Sequence, residues 1–237
     1  RDYLNGRSIP SDIASRFRLG FAKAGWSNLK SALLQSGFSE EDLLEAGLLK
    51  RSEKGSTYDL FRDRLMLPIC DLRGRVLGFG GRVLDDSLPK YMNSLENPLF
   101  HKSRLFYGLN LARRHFSTER RVVVVEGYTD VIMAHCQGIH ETVATLGTAL
   151  TDEHARILKR MTDEVILFYD CDEAGRVAAS RGIEVIVSHD LDVTVFSLDG
   201  GMDPFDFFRN HTGDEFRSLV KTKGEDSFDF TFRHHSR

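Results

Sequence analysis

Cysteine, proline and long apolar runs are all scarce in this chain. Its 237 residues include three cysteines and five prolines, and Cys70, Cys136 and Cys171 are widely spaced, with no Cys-x-x-Cys pair. This excludes a disulfide framework and a zinc ribbon, so we expect free thiols. No run of about 18 apolar residues could cross a membrane, and no secretory signal pattern opens the chain. We therefore expect a cytoplasmic protein that does not bind a membrane.

Charge is unevenly distributed along the chain, although the formal net charge is only −3. Residues 1–121 contain 21 Lys and Arg against 14 Asp and Glu, whereas residues 122–237 contain 11 against 21. The asymmetry fits a basic surface for a polyanion beside an acidic surface for divalent cations. Solvated faces that happen to differ in charge would give the same counts, so composition leaves both interpretations open.

The first half of the chain is predicted to be a mixture of short helices and strands. Ser27 and Ser39 are each suited to cap a helix, which Gly37 and Gly47 would end. Further on, residues 64–69 and 75–84 resemble strands. The segment between them has Asp first and Gly fourth, which predicts a type I turn and a β-hairpin.

Two consecutive glycines interrupt the second of these predicted strands. Gly80 and Gly81 indicate either a β-bulge or the close approach of another group to the backbone. Because Arg82 follows them directly, we expect the approaching group to be a ligand.

The second half alternates predicted strands and helices. The predicted strands are residues 122–125, 141–146, 165–170 and 192–198. The continuous apolar runs among them are typical of strands buried on both faces of a parallel sheet. The intervening segments are long enough for crossover helices, the second of them capped by Thr151. We therefore expect an α/β fold with helices on both faces of the sheet, closed by a helical segment at residues 205–237 with a loop at 221–224.

Acidic residues follow three of the four predicted strands. They are Glu126 after the first strand, Asp170 and Asp172 after the third, Asp203 after the fourth, and Asp130 in the first turn of the first helix. Loops converge beyond the carboxyl ends of parallel strands, so we expect these carboxylates to meet. Carboxylates placed together repel unless a cation is present, and oxygen ligands without His or Cys favour Mg²⁺ or Mn²⁺. For any single acid, a helix cap or a solvated loop is the alternative.

Basic and aromatic side chains are interleaved in the segment before this region. The candidates are Arg64, Arg82, Lys90, Tyr91, Asn93, Phe100, His101 and Lys102. The bases would bind phosphates and the rings would stack on nucleobases. A strand surface with alternating arginines would produce a similar pattern.

Seven segments together resemble the RNA polymerase core of bacterial DnaG-type primases, which contains a Toprim domain. They are residues 1–26, 61–84, 89–109, 123–132, 145–151, 168–179 and 199–208, in the family's order. The resemblance covers nearly the whole chain. It implies a Toprim-type, mostly parallel sheet with flanking helices at residues 122–204. A mixed α+β basic subdomain at 1–121 would precede it and a short helical segment at 205–237 would follow it.

The family resemblance implies a DNA-directed RNA polymerase that makes short RNA primers for replication. Its template would be single-stranded DNA, its substrates ribonucleoside triphosphates and its cofactor Mg²⁺ or Mn²⁺. By motif position, Glu126, Asp170 and Asp172 correspond to the catalytic metal-binding acids, and Asp130 and Asp203 to supporting metal ligands. The residues that correspond to template or nucleotide binding are Arg82, Lys90, Tyr91, Asn93 and Lys102.

Two positions depart from the family pattern, and two family modules are missing. Cys171 stands where most members have glycine between two aspartates, and Phe205 stands where an aspartate is usual, with the next acid at Asp206. The family's zinc-binding domain and its domain for the replicative helicase would lie outside this chain. We therefore expect zinc and the helicase to bind only those absent domains, and this chain to be a monomeric, excised core that acts at the replication fork.

Two other functions stay open. A Toprim nuclease would cut DNA with a metal ion and without nucleoside triphosphates. A non-catalytic module of the replisome would bind single-stranded DNA regardless of Mg²⁺. A topoisomerase needs a nucleophilic tyrosine on a further domain, for which this chain is too short.

Overall fold

The computed structural model describes residues 2–198 and 202–235. The helices are α1 (Asp2–Gly6), α2 (Ser11–Arg16), α3 (Asn28–Gln35), α4 (Glu40–Glu45), α5 (Leu109–Glu119), α6 (Tyr128–Cys136), α7 (Asp152–Lys159), α8 (Glu173–Val187), α9 (Pro204–Asn210), α10 (Gly213–Lys223) and α11 (Ser227–His235). The strands are β1 (Gly20–Ala22), β2 (Leu49–Arg51), β3 (Thr57–Asp59), β4 (Arg64–Cys70), β5 (Val76–Val83), β6 (Tyr91–Asn93), β7 (Arg121–Val125), β8 (Thr142–Ala144), β9 (Glu164–Leu167), β10 (Asp192–Val195) and β11 (Glu225–Asp226). Residues 199–201, which open the last of the seven segments, lie outside the described residues.

A mostly parallel sheet forms the second half, as predicted. Its strand order is β11–β10–β9–β7–β8, and only the pairing of β10 with the edge strand β11 is antiparallel. The interior strand β7 is followed in the chain by β8 on one side, whereas β9 lies on its other side. The next two strands after β7 in the chain are therefore added on opposite sides of it, although both run parallel to it. Such an arrangement leaves a crevice beyond the carboxyl ends of two neighbouring strands, here β7 and β9.

Three of the four predicted strands of this sheet end earlier than the sequence predicts, whereas β7 ends at Val125 as predicted. The fourth predicted strand, residues 192–198, is a strand only from Asp192 to Val195. The N–H of Phe196 still donates to the carbonyl of Leu167 at 2.9 Å. The predicted loop at 221–224 is wrong, because α10 continues to Lys223. Lys221 and Lys223 lie in its last turn, where positive charge stabilises a helix end.

An antiparallel sheet in the order β1–β4–β5–β6 forms the centre of the first half. The predicted hairpin is β4 and β5, and its turn is closed by the N–H of Gly74, which donates to the carbonyl of Asp71 at 2.9 Å. The Asp71 carboxylate also accepts from the N–H groups of Arg73 and Arg75. These bonds explain why aspartate and glycine in this spacing predicted the turn.

The glycines of β5 are covered by the protein's own aromatic rings. A Cβ on Gly80 would lie 3.0 Å from Cζ of Tyr128, and one on Gly81 would lie 2.6 Å from Cδ1 of Phe61. The irregular pairing in this hairpin falls between Ile69 and Cys70 instead. The predicted close approach is thus confirmed, but the expectation that a ligand makes it is wrong.

Two of the three predicted helix caps are confirmed. Ser39 and Thr151 each accept a hydrogen bond from the third residue of their helix. Ser27 precedes α3 but its hydroxyl makes no such bond. The Asp59 carboxylate caps α3 instead, accepting from the N–H groups of Leu29 at 2.7 Å and Lys30 at 2.9 Å.

The core joins the two halves of the chain. Val123 and Val125 point into a cluster that also contains Ile9 and Phe17 of the first half, while Val122 and Val124 face a second cluster. Burial on both faces is what the run of valines predicted. The division of the chain after residues 121 and 204 stays a prediction.

Two expectations from composition can be compared with the described residues. All three cysteines are free thiols, as expected. No helix in the described part of the chain has the length and apolar character needed to span a bilayer.

Overpacking at Gly78 should destabilise the fold. A Cβ there would lie 2.5 Å from Cδ2 of Phe100, whose ring is fully buried and cannot move aside. We expect Gly78→Ala to lower the free energy of unfolding by about 1–3 kcal/mol in urea denaturation. The control is Gly20→Ala in the same sheet, where the Cβ would lie 3.8 Å from Met66 and the change should stay below about 0.5 kcal/mol. Equal effects in the two variants would contradict this packing.

Candidate active site

A cavity of about 910 Å³ lies between the carboxyl edge of the parallel sheet and the β6 region of the first half. Its acidic lining residues are Glu126, Asp130, Asp170, Asp203 and Asp206. Its basic lining residues are Arg7, Lys90, Lys102 and Arg209. Tyr91 and Asn93 also line it. Four of the five predicted acids and four of the six predicted nucleic-acid-binding residues therefore meet in this one cavity, which we call the acidic cavity.

Glu126 directly follows the last residue of β7 and is half-buried at the edge of the sheet. Burial raises the pKa of its carboxyl group, and the charges of Asp170 and Asp172 raise it further, although a backbone hydrogen bond from Asp170 lowers it. The Oε1 atom is buried and has no hydrogen-bond partner among the described residues. A buried carboxylate oxygen without a partner is rare and needs an explanation.

Asp130 lies in the first turn of α6, where its carboxylate accepts a hydrogen bond from the N–H of Gly127 at 2.9 Å. Burial raises the pKa of Asp130 against the lowering effect of that hydrogen bond. The charges of Asp170, Asp203 and Glu126 add to the rise, and the resulting pKa is about 7. Asp130 thus holds the turn that follows Glu126, in a strongly negative environment.

The remaining acids lie in the loops after β9 and β10. Burial raises the pKa of Asp170, and the charges of Asp203 and Asp172 raise it further. Asp172 and Asp203 cap helices α8 and α9, each accepting a backbone hydrogen bond at 2.7 Å. Asp172 is exposed and does not line the acidic cavity, which departs from the prediction. Its charge nevertheless acts on both Glu126 and Asp170.

The loop with Asp170 and Asp172 is fastened by the cysteine between them. The Cys171 thiol donates to the carbonyl of Leu198 at 2.9 Å, and the N–H of Leu198 donates to the sulfur at 3.3 Å. The residue that departs from the family's usual glycine therefore ties this loop to the segment that follows β10.

The acids fit an open site for a hard divalent cation. Among residues 2–198 and 202–235, no three His, Cys, Asp or Glu side chains are arranged to enclose a metal ion. Mg²⁺ is often bound by only one or two carboxylates, with water and substrate phosphates as the other ligands. A cation beside Glu126 and Asp170 would supply the missing partner of Oε1 and would offset the burial and the repulsion that raise both pKa values. These two residues are therefore the best placed to hold it.

Tyr91 and Asn93 line the cavity with polar groups that the protein already uses. Asn93 donates from Nδ2 to the carbonyl of Leu146 at 2.8 Å and accepts a hydrogen bond from the hydroxyl of Tyr128. The Tyr91 hydroxyl lies 3.4 Å from Oγ1 of Thr129. These contacts hold β6 against the residues that follow β7 and β8.

Direct binding of nucleic acid by Arg64 and Arg82 stays a prediction, and the structure places both side chains outside the acidic cavity. Both are buried, with 8% and 6% of their surface exposed, and neither lines the acidic cavity. Arg64 donates to the carbonyl of Pro89 at 2.9 Å. Arg82 donates to the carbonyl of Val83 at 2.8 Å and to the Tyr91 hydroxyl at 3.1 Å. Their guanidinium groups are therefore engaged within the protein.

Two further residues of the basic and aromatic segment do not line the cavity. Phe100 is fully buried in the core, so its ring cannot stack on a base. His101 contacts the Glu96 carboxylate at 3.1 Å. The prediction of base stacking is wrong for Phe100 because the segment folds back onto the sheet of the first half.

Sequence reasoning missed two cations of the cavity. The Arg7 guanidinium lies over the ring of Phe205, 4.8 Å from its centroid, and Arg209 is exposed on α9. Arg209 lies three residues after Asp206, a spacing that places both on one face of a helix. That spacing was a usable signal, whereas nothing local distinguished Arg7 from its neighbours.

Two protein-family models match the chain. The N-terminal domain of the DNA primase catalytic core matches residues 1–113, and the Toprim-like model matches residues 123–208. The DNA primase of Pseudomonas putida is 44% identical over 236 residues, covering 99% of this chain and 34% of that protein. The chain thus spans about a third of the length of the curated relatives it matches.

Solved structures match over a larger share of their length. A DNA primase domain from Pseudomonas aeruginosa is 42% identical with a TM-score of 0.91, and the match covers 98% of this chain and 74% of that one. A DnaG primase catalytic domain bound to single-stranded DNA is 39% identical with a TM-score of 0.88, covering 98% and 74%. Sequence and fold therefore agree on one family.

The raised pKa of Asp130 should make stability fall as pH rises. The native carboxyl keeps its proton up to about pH 7, whereas an unfolded one loses it near its ordinary value of 3.8, so the native state binds more protons between these values. Without divalent cations, we expect Asp130→Asn to exceed the wild type in free energy of unfolding by about 1–3 kcal/mol at about pH 8, and to match it below about pH 4.

Urea denaturation in EDTA at several pH values measures this difference. The matched control is Asp192→Asn, an exposed residue at the start of β10, for which no such pH dependence is expected. A difference between Asp130→Asn and the wild type that does not change with pH would contradict the assignment.

Proposed function

The chain belongs to the DnaG-type DNA primase family, whose catalytic core it matches, and we propose that it synthesises short RNA primers on single-stranded DNA. The proposed reaction is metal-dependent transfer of ribonucleotides from their triphosphates. One observation carries the proposal: carboxylates from the sheet edge and cations from the first half line the same cavity. Nucleotidyl transfer needs both, because the acids hold divalent cations and the bases hold phosphates.

The setting of this activity follows from the family. A structure of a related catalytic domain holds single-stranded DNA, which supports such a template here. Primer synthesis belongs to DNA replication, so we place the protein at the replication fork in the cytoplasm. Binding of the replicative helicase through another domain, and a monomeric state, stay predictions. A related structure contains a zinc-binding domain beside the polymerase domain, in line with zinc being bound outside this chain.

In the proposed reaction, the 3′-hydroxyl of one ribonucleotide attacks the α-phosphate of the next, and pyrophosphate leaves. Glu126 and Asp170 would hold Mg²⁺ or Mn²⁺, with Asp172, Asp130 and Asp203 adding negative charge around them. When bound, the cation would lower the pKa of the attacking hydroxyl and neutralise charge on the phosphates. The acids thus supply the cation-binding part of the proposed site.

The basic side chains of the cavity supply the phosphate-binding part of the proposed site. Lys90 is exposed directly before β6, and Lys102 opens a 3₁₀ turn, so both can reach phosphates of a triphosphate or a template. Arg7 and Arg209 add positive charge to the same lining. Holding the reacting groups in place in this way supplies much of the rate in phosphoryl transfer. The half-buried ring of Tyr91 would contact a base or ribose.

Removing the charge of Asp170 should abolish synthesis. We expect Asp170→Asn to lower primer synthesis on single-stranded DNA at least about 100-fold, because the site loses a carboxylate that faces the reacting phosphates. The assay follows incorporation of labelled ribonucleotides with Mg²⁺ or Mn²⁺. The control is Asp192→Asn, the same chemical change at the opposite edge of the sheet, which should keep wild-type activity.

Other outcomes of this assay are equally informative. Near wild-type synthesis by Asp170→Asn would overturn the assignment of the acids. Cutting of DNA that needs the metal ion but no triphosphates would favour a nuclease over a primase.

Removing the charge of Lys90 should change the salt dependence of DNA binding. Each phosphate contact on single-stranded DNA adds about 0.7 to the slope of log affinity against log salt. We therefore expect Lys90→Gln to reduce the slope by about that amount in fluorescence anisotropy titrations. Lys54→Gln, in the exposed turn between β2 and β3, should leave the slope unchanged. An unchanged slope for Lys90→Gln would exclude a phosphate contact by Lys90.

A further inference from the structure

A second charged cavity lies at the opposite end of α6 from the acids. It has a volume of about 480 Å³ and is lined by Arg16, Arg73, Arg113 and Arg114 together with three histidines. One of these, His135, is in the last turn of α6, five residues or roughly 8 Å along the axis from Asp130. No acidic side chain of the described residues lines this cavity, which we call the basic cavity.

The three histidines form a cluster of rings in contact at tilted and edge-to-face angles. The ring of His140 lies 4.8 Å from that of His115 and 5.3 Å from that of His135, measured between centroids. His135 is only 2% exposed, and its Nε2 lies 3.3 Å from the carbonyl of Thr142. Nδ1 of His135 and Nδ1 of His140 are buried, and neither has a hydrogen-bond partner among the described residues. The lining thus contains polar atoms that the fold does not use.

The charged side chains that change the pKa of His135 and His140 are all arginines or histidines. Burial lowers the pKa of His140, and the charges of His115, Arg16 and Arg217 lower it further. Burial likewise lowers the pKa of His135, against the raising effect of its hydrogen bond to the Thr142 carbonyl. With smaller lowering contributions from the charges of His140, Arg16 and His115, its pKa is about 3. A lining rich in arginine gives this cavity a positive potential, which favours the binding of an anion.

Two acids near this cavity in sequence are paired with bases. Glu141 is 3% exposed and lies 3.8 Å from Arg217, and Asp71 bonds to Arg75 at 2.7 Å. Neither lines the basic cavity. Among the described residues, every charged or titratable side chain that lines the basic cavity is an arginine or a histidine.

The arginines reach the cavity from three separate elements. Arg16 ends α2, Arg73 lies in the turn between β4 and β5, and Arg113 belongs to α5. Residues 16, 73 and 113 are thus brought together only by the fold. Guanidinium groups can donate two parallel hydrogen bonds to phosphate oxygens, which a point charge cannot do.

We propose that the basic cavity binds a phosphate-bearing anion. The ligand is either a free polyphosphate or a phosphate group of a nucleic-acid strand, and both share the chemistry that arginine recognises. The site is separate from the acidic cavity, and its existence does not depend on primer synthesis. It lies away from the carboxyl edge of the sheet, so ligand and substrates can be bound together.

Inorganic pyrophosphate is the probe for the free ligand. We expect the 237-residue chain to bind it in calorimetric titrations in EDTA, which removes divalent cations from the acidic cavity. The variant Arg16→Gln/Arg113→Gln should bind more weakly by about tenfold for each guanidinium removed. Both residues are exposed, so the fold should persist, and thermal unfolding checks this. The control is Arg156→Gln/Arg160→Gln on the exposed surface of α7 and its end, with unchanged affinity.

Nuclear magnetic resonance of the histidine rings locates the bound anion. Pyrophosphate should shift the ring signals of His115 and His140. The variant His140→Phe, which keeps an aromatic ring in the cluster, identifies the His140 signal. A single-stranded oligonucleotide of about 12 residues that produces the same shifts, or displaces pyrophosphate, identifies the strand as the ligand; otherwise the ligand is the free anion. Ring signals that neither probe shifts, or equal affinity in the arginine variant and the wild type, would overturn the proposal.

Discussion

Repulsion among carboxylates at the carboxyl edge of the parallel sheet is the constraint on which the rest of the site depends. Glu126 follows β7 and Asp170 follows β9. These two strands are neighbours in the sheet, and β8 lies on the other side of β7. Burial and the neighbouring acids raise the pKa of Glu126, Asp130 and Asp170 alike. A fold that keeps these groups together needs positive charge beside them, from its own lysines and arginines and from the proposed cation.

The position of that positive charge is set by contacts between the two halves of the chain. The Tyr128 ring packs over Gly80, its hydroxyl bonds to Asn93, and Asn93 bonds to the carbonyl of Leu146. These links join β5 and β6 to the turns after β7 and β8. Because Lys90 directly precedes β6, the same links hold its backbone beside the acids. The buried arginines and tyrosines of this region thus contribute to the site by holding the elements that line it in place.

Sequence reasoning predicted best the placement of residues that follow directly from a local pattern, such as the end of an apolar strand. Acids at strand ends could be predicted, because apolar runs mark the strands and a parallel sheet brings their carboxyl ends together. It did not show that Arg64 and Arg82 are buried, since alternation along a strand shows which residues share a face but does not show which face is buried. The cap of α3 could not be predicted either, because Asp59 is about 30 residues away from it in the chain. The edge strand β11 has two acidic residues and no strand signal.

The most direct test of the central claim is binding of Mn²⁺, measured by the paramagnetic resonance signal of the free ion. We expect the wild-type chain to bind Mn²⁺ weakly, and a ribonucleoside triphosphate to tighten binding by adding phosphate ligands. Glu126→Gln, which keeps the shape of the side chain and removes its charge, should lose that binding. Equal Mn²⁺ affinity in the Glu126→Gln variant and the wild type would show that these carboxylates do not hold a cation together.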